Sequence, residues 1–258
     1  VQKQVSAKHV AVGVKELIEL PRELLEARFS LTENEGAAWL FAGTPSNGLM
    51  GGGFLYTNGD SLSLGIVVGL SHIADAGKSV PQMLEDFKQH PTVRPLIAGG
   101  KTVEYAAHVV PEAGINMQPK LVGNGVLIAG DAAGMCMNLG FTIRGMDMAI
   151  ASGEAAARAV LQAKEANNFS EQGLNGYLTL LEELPVMKDL RHYRKVPAML
   201  ENPRMFTQYP QMVADIMANV FTVNGQPPQP IRKMVMRHCK KIGYLNLLKD
   251  GIKGVTAL

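Results

Sequence analysis

Apolar and polar positions fall into three regimes along the chain. In the first, short runs rich in β-branched and aromatic residues are separated by turn residues, which is the pattern of strands. Residues 9–20, closed by Pro21, read as one strand, and residues 36–43, with Trp39 and Phe41, as a second. Residues 51–57 and 62–70 follow as a third and fourth. Thr44 to Gly48 is a turn cluster, and Asn58-Gly59-Asp60 is a hairpin turn, because Asn-Gly tolerates positive φ. Residues 36–70 are therefore expected to form antiparallel sheet. A short helical turn is expected over 22–28. In 80–90, Val80, Met83, Leu84 and Phe87 fall at helical spacing, with Pro81 in the first turn. Residues 101–110 read as a further strand.

The second regime follows the turn Pro111-Glu112-Ala113-Gly114. Residues 125–129, Gly-Val-Leu-Ile-Ala, are apolar without alternation, as expected of a strand buried on both faces. Residues 145–166 read as a long helix, in which Gly145, Ala149, Gly153 and Ala157 are four apart and share one face. In the third regime helical spacing dominates: 171–184, 186–196, 208–220 and 230–250. Pro185, Pro197, Pro203, Pro210 and the linker Gln226-Pro227-Pro228-Gln229-Pro230 punctuate it. No internal repeat is present.

Composition narrows the classes. Of 258 residues, 47% are hydrophobic and 19% charged, so a sizeable core is expected and wholesale disorder is not. A net charge of +2 gives no reason to expect nucleic acid as a partner. No apolar run reaches the ~20 residues of a membrane-spanning helix. The start, Val1-Gln2-Lys3-Gln4, is polar and lacks an initiator Met, which suggests a fragment or a processed chain. Cys136 and Cys239 are the only cysteines. Their contexts differ, so a disulfide scaffold is excluded and a cytoplasmic setting is expected. Four-Cys iron–sulfur ligation is impossible within this chain. The six His show no ligand spacing, so no metal site is expected. Cys136 reads as a buried small hydrophobe rather than a redox thiol. No nucleophile, general acid or general base is assigned.

The sharpest chemical signal is Val126-Leu127-Ile128-Ala129-Gly130-Asp131-Ala132-Ala133-Gly134, with a Gly-rich helix start ten residues on. A strand ending at Gly130 puts Asp131 at its carboxyl end. Small residues let backbone approach a ligand, and the next helix aims free N–H groups at it. A carboxylate there can accept hydrogen bonds from a ribose or ribityl hydroxyl. An ordinary strand–turn–helix with an Asp cap fits the same residues equally well. The C-terminal third is basic, with Lys188, Arg191, Arg232, Lys233, Arg237, Lys240 and Lys241 interleaved with apolar residues. A membrane-surface helix, a docking face for an acidic electron carrier and a plain solvated face all fit that pattern.

Gly130-Asp131-Ala132-Ala133-Gly134 with Gly140, followed by residues 144–156, resembles the second FAD motif of hydroxylase-like flavoproteins. The closest likeness is to the electron-transfer flavoprotein:quinone oxidoreductases of the FixC type. Gly51-Gly52-Gly53-Phe54-Leu55-Tyr56, residues 64–70, residues 90–95 with Gly99-Gly100-Lys101, and Asp250-Gly251-Ile252-Lys253-Gly254 extend it, so that it covers roughly 9–258. The resemblance implies an α/β fold: the second half of a hydroxylase/glutathione-reductase-like FAD domain (111–166), an antiparallel-sheet quinone or substrate domain (1–110) and a helical C-terminal region (167–258). It implies FAD as cofactor, held by Gly130, Asp131, Ala132, Gly134, Asn138, Gly140, Arg144 and Gly145. Asp131 matches the residue at the ribose. Arg144 stands where the quinone oxidoreductases have Lys.

By the same resemblance Gly51 and Gly52 lie against a quinone headgroup, whose carbonyl can accept a backbone N–H. Read alone, they are a β-bulge or a bend entering a strand. The implied partners are an electron-transfer flavoprotein as donor, with a separate ferredoxin-like iron–sulfur protein or a quinone at the inner face of the cell membrane as acceptor. Two alternatives share the motif: a flavin-dependent reductase or monooxygenase of a prenyl lipid or small aromatic, and a truncated non-catalytic remnant. The Gly-x-Gly-x-x-Gly pyrophosphate turn of such enzymes does not occur in this sequence. The 258 residues alone are therefore expected to be colourless, aggregation-prone and inactive, with an apolar patch around Val126, Ile128 and the small-residue helix face.

Overall fold

The computed structural model describes residues 5–227 and 229–258; the polar start Val1 to Gln4 and Pro228 of the linker lie outside them. The alternating segments of the first hundred residues build one five-stranded antiparallel sheet. Its strands are β1 (Val10–Glu19), β2 (Ala38–Phe41), β3 (Gly51–Asn58), β4 (Ser61–Gly69) and β5 (Lys101–Pro111), in the spatial order β2-β3-β4-β1-β5. Val14 lies opposite Ile66, and Leu64 lies opposite Leu55, so the period of two puts these side chains on one face. Helices α1 (Arg22–Phe29) and α2 (Val80–Lys88) cover that face. Leu25, Phe29, Met83, Leu84 and Phe87 fill a core with it. Glu16 falls on the same buried face, where it accepts from Lys88 Nζ (3.1 Å) and Thr102 Oγ1 (3.0 Å); burial of its charge is tolerated because it is paired. In the β3–β4 hairpin Asn58 stays in the strand opposite Ser61, and Gly59 alone takes positive φ.

The opposite face of the sheet carries Gly52, Phe54 and Tyr56 from β3, Val67 from β4 and Val110 from β5. The rings of Phe54 and Tyr56 stack there, 5.2 Å apart. A short helix, α3 (Arg94–Ile97), precedes β5.

Beyond β5 the expectation for 125–129 fails. These residues are not a strand buried on both faces. β6 (Val122–Gly123) and β7 (Val126–Leu127) form a local hairpin around Gly125, which takes a φ of 71°, and Val126 is 53% exposed. Gly125 turns the chain straight back on Val122 and thereby fixes a local antiparallel partner; an apolar run by itself says nothing about pairing. A second small hairpin, β8 (Met137–Asn138) with β9 (Ile143–Arg144), leads into the long helix α4 (Met146–Glu165). This helix has two apolar faces. Met148, Ala155, Ala159 and Ala163 are buried, whereas Gly153 and Ala157 are exposed beside Met146 (85%) and Ile150 (73%).

The remainder is helical: α5 (Glu171–Leu174), α6 (Gly176–Glu183), α7 (Pro185–His192), α8 (Val196–Leu200), α9 (Gln208–Phe221), α10 (Ile231–Ile242) and α11 (Tyr244–Ala257). Two expected helices are broken. The stretch 171–184 divides at Asn175, and 230–250 divides at Gly243, whose φ of 93° a helix cannot continue through. Tyr177, Leu181, Leu190 and Val196 join Met135, Met148 and Ala159 in a second core, separate from that under the sheet. Arg204 makes a two-pronged bond to Asp250 (2.7 and 2.8 Å), and the Tyr209 hydroxyl donates to the same carboxylate (2.7 Å), tying α9 to α11. Among the described residues no helix is long and apolar enough to cross a membrane.

Candidate functional site

The turn after β7 is docked by two bonds from the helices behind it. The Gly130 N–H donates to Ser152 Oγ (3.0 Å) on the buried face of α4, and the buried Tyr177 hydroxyl donates to the Ile128 carbonyl (2.9 Å). Gly130 takes a φ of 63°, and residues Gly130–Ala133 form a single 3₁₀ turn. Asp131 is exposed there and makes no side-chain hydrogen bond among the described residues. Its carboxylate stands beside the start of α4: a Cβ on Gly145 would lie 4.0 Å from Asp131 Oδ1 and 3.8 Å from Cys136 Sγ. Gly145 is the N-cap of α4 and offers no side chain to its first-turn N–H groups. Those donors and the positive end of a twenty-residue helix dipole favour an electron-rich or anionic ligand group.

The β8–β9 hairpin forms the next wall. Asn138 Oδ1 accepts from the Gly140 N–H (2.8 Å), and Asn138 Nδ2 donates to Glu112 Oε2 (2.7 Å). Arg144 donates from Nε and Nη2 to Asp147 (2.9 and 2.6 Å) and from Nη1 to Asp189 on α7 (2.7 Å). Its guanidinium therefore reaches the site already engaged by two carboxylates.

Across from this wall stands the uncovered face of the sheet. Between them opens a cavity of about 990 Å³. Seven of the ten residues expected at the site line it: Gly51, Gly52, Asp131, Asn138, Gly140, Arg144 and Gly145. Gly130, Ala132 and Gly134 do not; they shape the turn behind it. Gly134 takes a φ of 69°, donates its N–H to the Asp131 carbonyl, and has room for no Cβ beyond 3.0 Å from the Gly114 carbonyl oxygen.

The two sheet glycines carry both of their readings at once. A Cβ on Gly51 would fall 2.0 Å from the Val67 carbonyl oxygen, and one on Gly52 would fall 2.2 Å from that of Phe41. Strand packing alone thus demands glycine at both positions, as the bend reading has it. β2 ends at Phe41, opposite Gly53, so the backbone of Gly51 and Gly52 is left facing the cavity beyond the strand's end.

Aromatic walls come from Phe54 and Tyr56 of the same glycine-led strand, and from Phe141 and Phe206, which no assigned site role covered, as none covered Glu112. Glu112 is 5% exposed, and burial raises its carboxyl to about 7 even though the Asn138 bond acts in the opposite direction. In sequence it is one acid in a Pro-Glu-Ala-Gly turn, and nothing local marks it as buried. Cys136, close by, has its thiol pushed up to about 12, first by burial and then by Glu112 and Asp131. It carries no thiolate at neutral pH, which agrees with its reading as a small hydrophobe.

Fold and site together define the class: an α/β protein whose antiparallel sheet faces the N-terminus of a long helix across a ligand-sized cavity. The same fold occurs in a geranylgeranyl bacteriochlorophyll reductase-like protein from Thermoplasma acidophilum, with a TM-score of 0.57 and 16% identity over 93% of this chain and 55% of that one. Residues 10–110 match the family model described as ETF-QO, ubiquinone-binding, and residues 196–258 match the ETF-QO/FixC family C-terminal domain. The chain is 68% identical to protein FixC of Salmonella typhi, over 99% of its own length and 60% of that protein. It is 65% identical to YdiS of Escherichia coli, a probable electron transfer flavoprotein-quinone oxidoreductase, over 97% of its own length and 58% of that protein. The chain belongs to the electron transfer flavoprotein-quinone oxidoreductase/FixC family, and it spans about 60% of the length of these curated relatives.

Proposed function

We propose that the large cavity brings the ring of an FAD together with a quinone, in an oxidoreductase that receives electrons from an electron-transfer flavoprotein. Electrons leave to the quinone or, one at a time, to a separate ferredoxin-like iron–sulfur protein. The observation that carries this reading is the convergence on one cavity of Gly51 and Gly52 from the sheet with Asp131, Asn138, Gly140, Arg144 and Gly145 from the turn and helix start. A volume of about 990 Å³ lies at the upper end of small-molecule sites, enough for two flat ring systems.

The residues present fit the ring and sugar end of FAD. Asp131 offers an unpaired carboxylate to a sugar hydroxyl, and the uncapped N-terminus of α4 offers N–H donors to electron-rich flavin atoms. Nothing in the sequence offers the glycine-rich turn that cradles a pyrophosphate, so the 258 residues by themselves are expected to hold FAD weakly. The flavin supplies two-electron acceptance and one-electron release. The protein's part is to position, to exclude water with Phe54, Tyr56, Phe141 and Phe206, and to keep Arg144 fixed between Asp147 and Asp189. The basic C-terminal helices, with exposed Leu245, Leu248 and Ile252 on α11, suit a peripheral position at the inner face of the membrane.

The test uses the protein extended to the full length that its curated relatives span, loaded with FAD and mixed with a reduced electron-transfer flavoprotein, since these 258 residues alone are expected to be inactive. Bleaching of the flavin absorbance, reversed by a short-chain ubiquinone analogue, is expected. Bleaching by NADPH but not by the flavoprotein would overturn this reading in favour of a flavin-dependent reductase of a prenyl lipid or small aromatic.

A further inference from the structure

Glu112 is the buried carboxyl at the cavity that the reading above leaves without a task. It sits where three spaces meet. Its side chain lines the main cavity, a second cavity of about 280 Å³ and a narrow crevice behind Cys136 and Asn138. The second cavity runs between the sheet's far end and α8, and Lys8, Ser71, His72 and Glu201 line it together with Glu112. Glu112 is held from two sides: its backbone N–H donates to the His9 carbonyl (2.8 Å), and its Oε2 accepts from Asn138 Nδ2 (2.7 Å). Oε1 has no hydrogen-bond partner among the described residues. Among the described residues no cation pairs with this carboxyl, which distinguishes it from the buried Glu16 with its Lys88. A structural buried carboxylate is normally paired. An unpaired one between two cavities is built to change its protonation state.

We propose that Glu112 carries protons between solvent in the second cavity and a quinone in the main cavity. The proposal rests on the quinone reading above. Reduction of a quinone to a quinol takes up two electrons and two protons. The electrons are those of the flavin chemistry already described. For each proton, the Glu112 O–H bond breaks, an O–H bond forms on a quinone oxygen, and the carboxylate takes a replacement proton from water in the second cavity. The carboxyl's position near neutrality suits this task, since a proton carrier works best when both of its forms are populated at the working pH. The titratable and charged groups facing it among the described residues are Lys8, His72 and Glu201 across the second cavity, Tyr193 and Arg194 across the crevice, and Cys136, Asp131, Tyr56, Arg144 and Asp147 on the main-cavity side. Asn138 is the positioning residue that fixes Oε2 and leaves Oε1 free.

The experiment compares the wild-type protein with Glu112→Gln, an isosteric change, and Glu112→Asp. A short-chain ubiquinone analogue is titrated in and followed by quenching of Trp39, the sole tryptophan, on the β2 strand that borders the cavity. Infrared titration follows protonated carboxyl groups. Reduction of the bound analogue by a soluble one-electron mediator is followed across pH. We expect the analogue to bind all three proteins alike. A carboxyl band titrating near pH 7 should be present in the wild type and missing in Glu112→Gln. Quinone reduction in Glu112→Gln should be slower by about 100-fold and lose its pH dependence, with partial recovery in Glu112→Asp. An unchanged rate and pH profile in Glu112→Gln, with quinone bound, overturns the proton role and leaves the quinone site standing. No such band in the wild type overturns it even if the variant misfolds. No binding of the analogue to the wild type, by Trp39 quenching or by equilibrium dialysis, overturns the quinone site itself, and the proton role with it.

Discussion

The two walls of the cavity are built on opposite plans. The sheet wall presents no charged side chain to the cavity; beside the aromatic faces of Phe54 and Tyr56 its chemistry is backbone, at Gly51 and Gly52, where carbonyl oxygens lie 2.0 to 2.2 Å from where a side chain would begin. The loop wall is made of short hairpins and a helix start, and there polar side chains do the shaping: Asn138 holds Glu112, and Arg144 bridges Asp147 and Asp189. At Gly51 and Gly52 the first wall cannot be altered without breaking strand pairing. The second can be altered one side chain at a time. Evidence about ligand chemistry therefore has to come from the loop wall, even though the sheet wall contacts the same space.

The largest effect expected from that contrast is at Gly52. Val there would force a side chain into the Phe41 carbonyl, so Gly52→Val should cost about 3 kcal/mol or more of stability, as strained backbone and overpacked sites do. Thermal melting checks it. A variant that melts like wild type but fails to bind quinone would mean that the sheet yields locally, and that the two walls are less different than they look.

Glu112 comes next. Its folded-state value near 7 lies above the ordinary value of about 4.3 for an unfolded chain. Between those two values the folded protein keeps a proton that the unfolded chain has lost, so stability falls as pH rises through that window and levels off above it. Glu112→Gln removes the slope. At pH 8 it should stabilise the protein by up to about 3 kcal/mol, and at pH 4 it should change little. Denaturant titrations at the two pH values measure this, and a variant less stable at pH 8 would show that the carboxylate is better paired than the Asn138 bond indicates.

Arg144→Ala should have a smaller effect, about 1 kcal/mol. Its ion pairs are partly exposed, and such pairs contribute little and are screened by salt. A loss that persists at high salt would count against that account. Smallest is Asp131→Ala, which should leave the stability within about 0.5 kcal/mol of wild type because the carboxylate has no side-chain partner among the described residues to lose. Its FAD affinity should nevertheless fall by about 1–3 kcal/mol, read by equilibrium dialysis with added FAD. A variant with unchanged FAD affinity would remove Asp131 from the site.

What the sequence reveals follows the same division. The sheet was legible because runs of β-branched and aromatic residues between turn residues are a local signal: β1 to β5 all fall where those runs lie, and Gly59 turns the β3–β4 hairpin as its dipeptide suggests. The misreadings come where local pattern leaves a partner unspecified. Residues 125–129 are apolar enough for a buried strand, but Gly125 pairs them with Val122 instead. A helical period over 230–250 runs through Gly243 without registering its φ of 93°. Of the residues lining the cavity, seven carry a site role assigned from motifs visible in the sequence, and Glu112 does not. Its burial is made by Asn138, 26 positions later, and by the strand start at His9, more than a hundred positions earlier. No window of the sequence contains that environment. On the exposed second face of α4, Gly153 and Ala157 were legible from their four-residue spacing, whereas Met146 reads in sequence as a core filler and is 85% exposed.

The most direct test of the shared cavity is covalent labelling of the protein with a photoreactive azido-quinone, with the label located by peptide mass spectrometry. The account predicts label on peptides containing Gly51 to Tyr56 and Cys136 to Gly145 together, suppressed by excess short-chain ubiquinone. Label confined to the apolar surfaces of α9 to α11, or label that excess ubiquinone does not suppress, would contradict it.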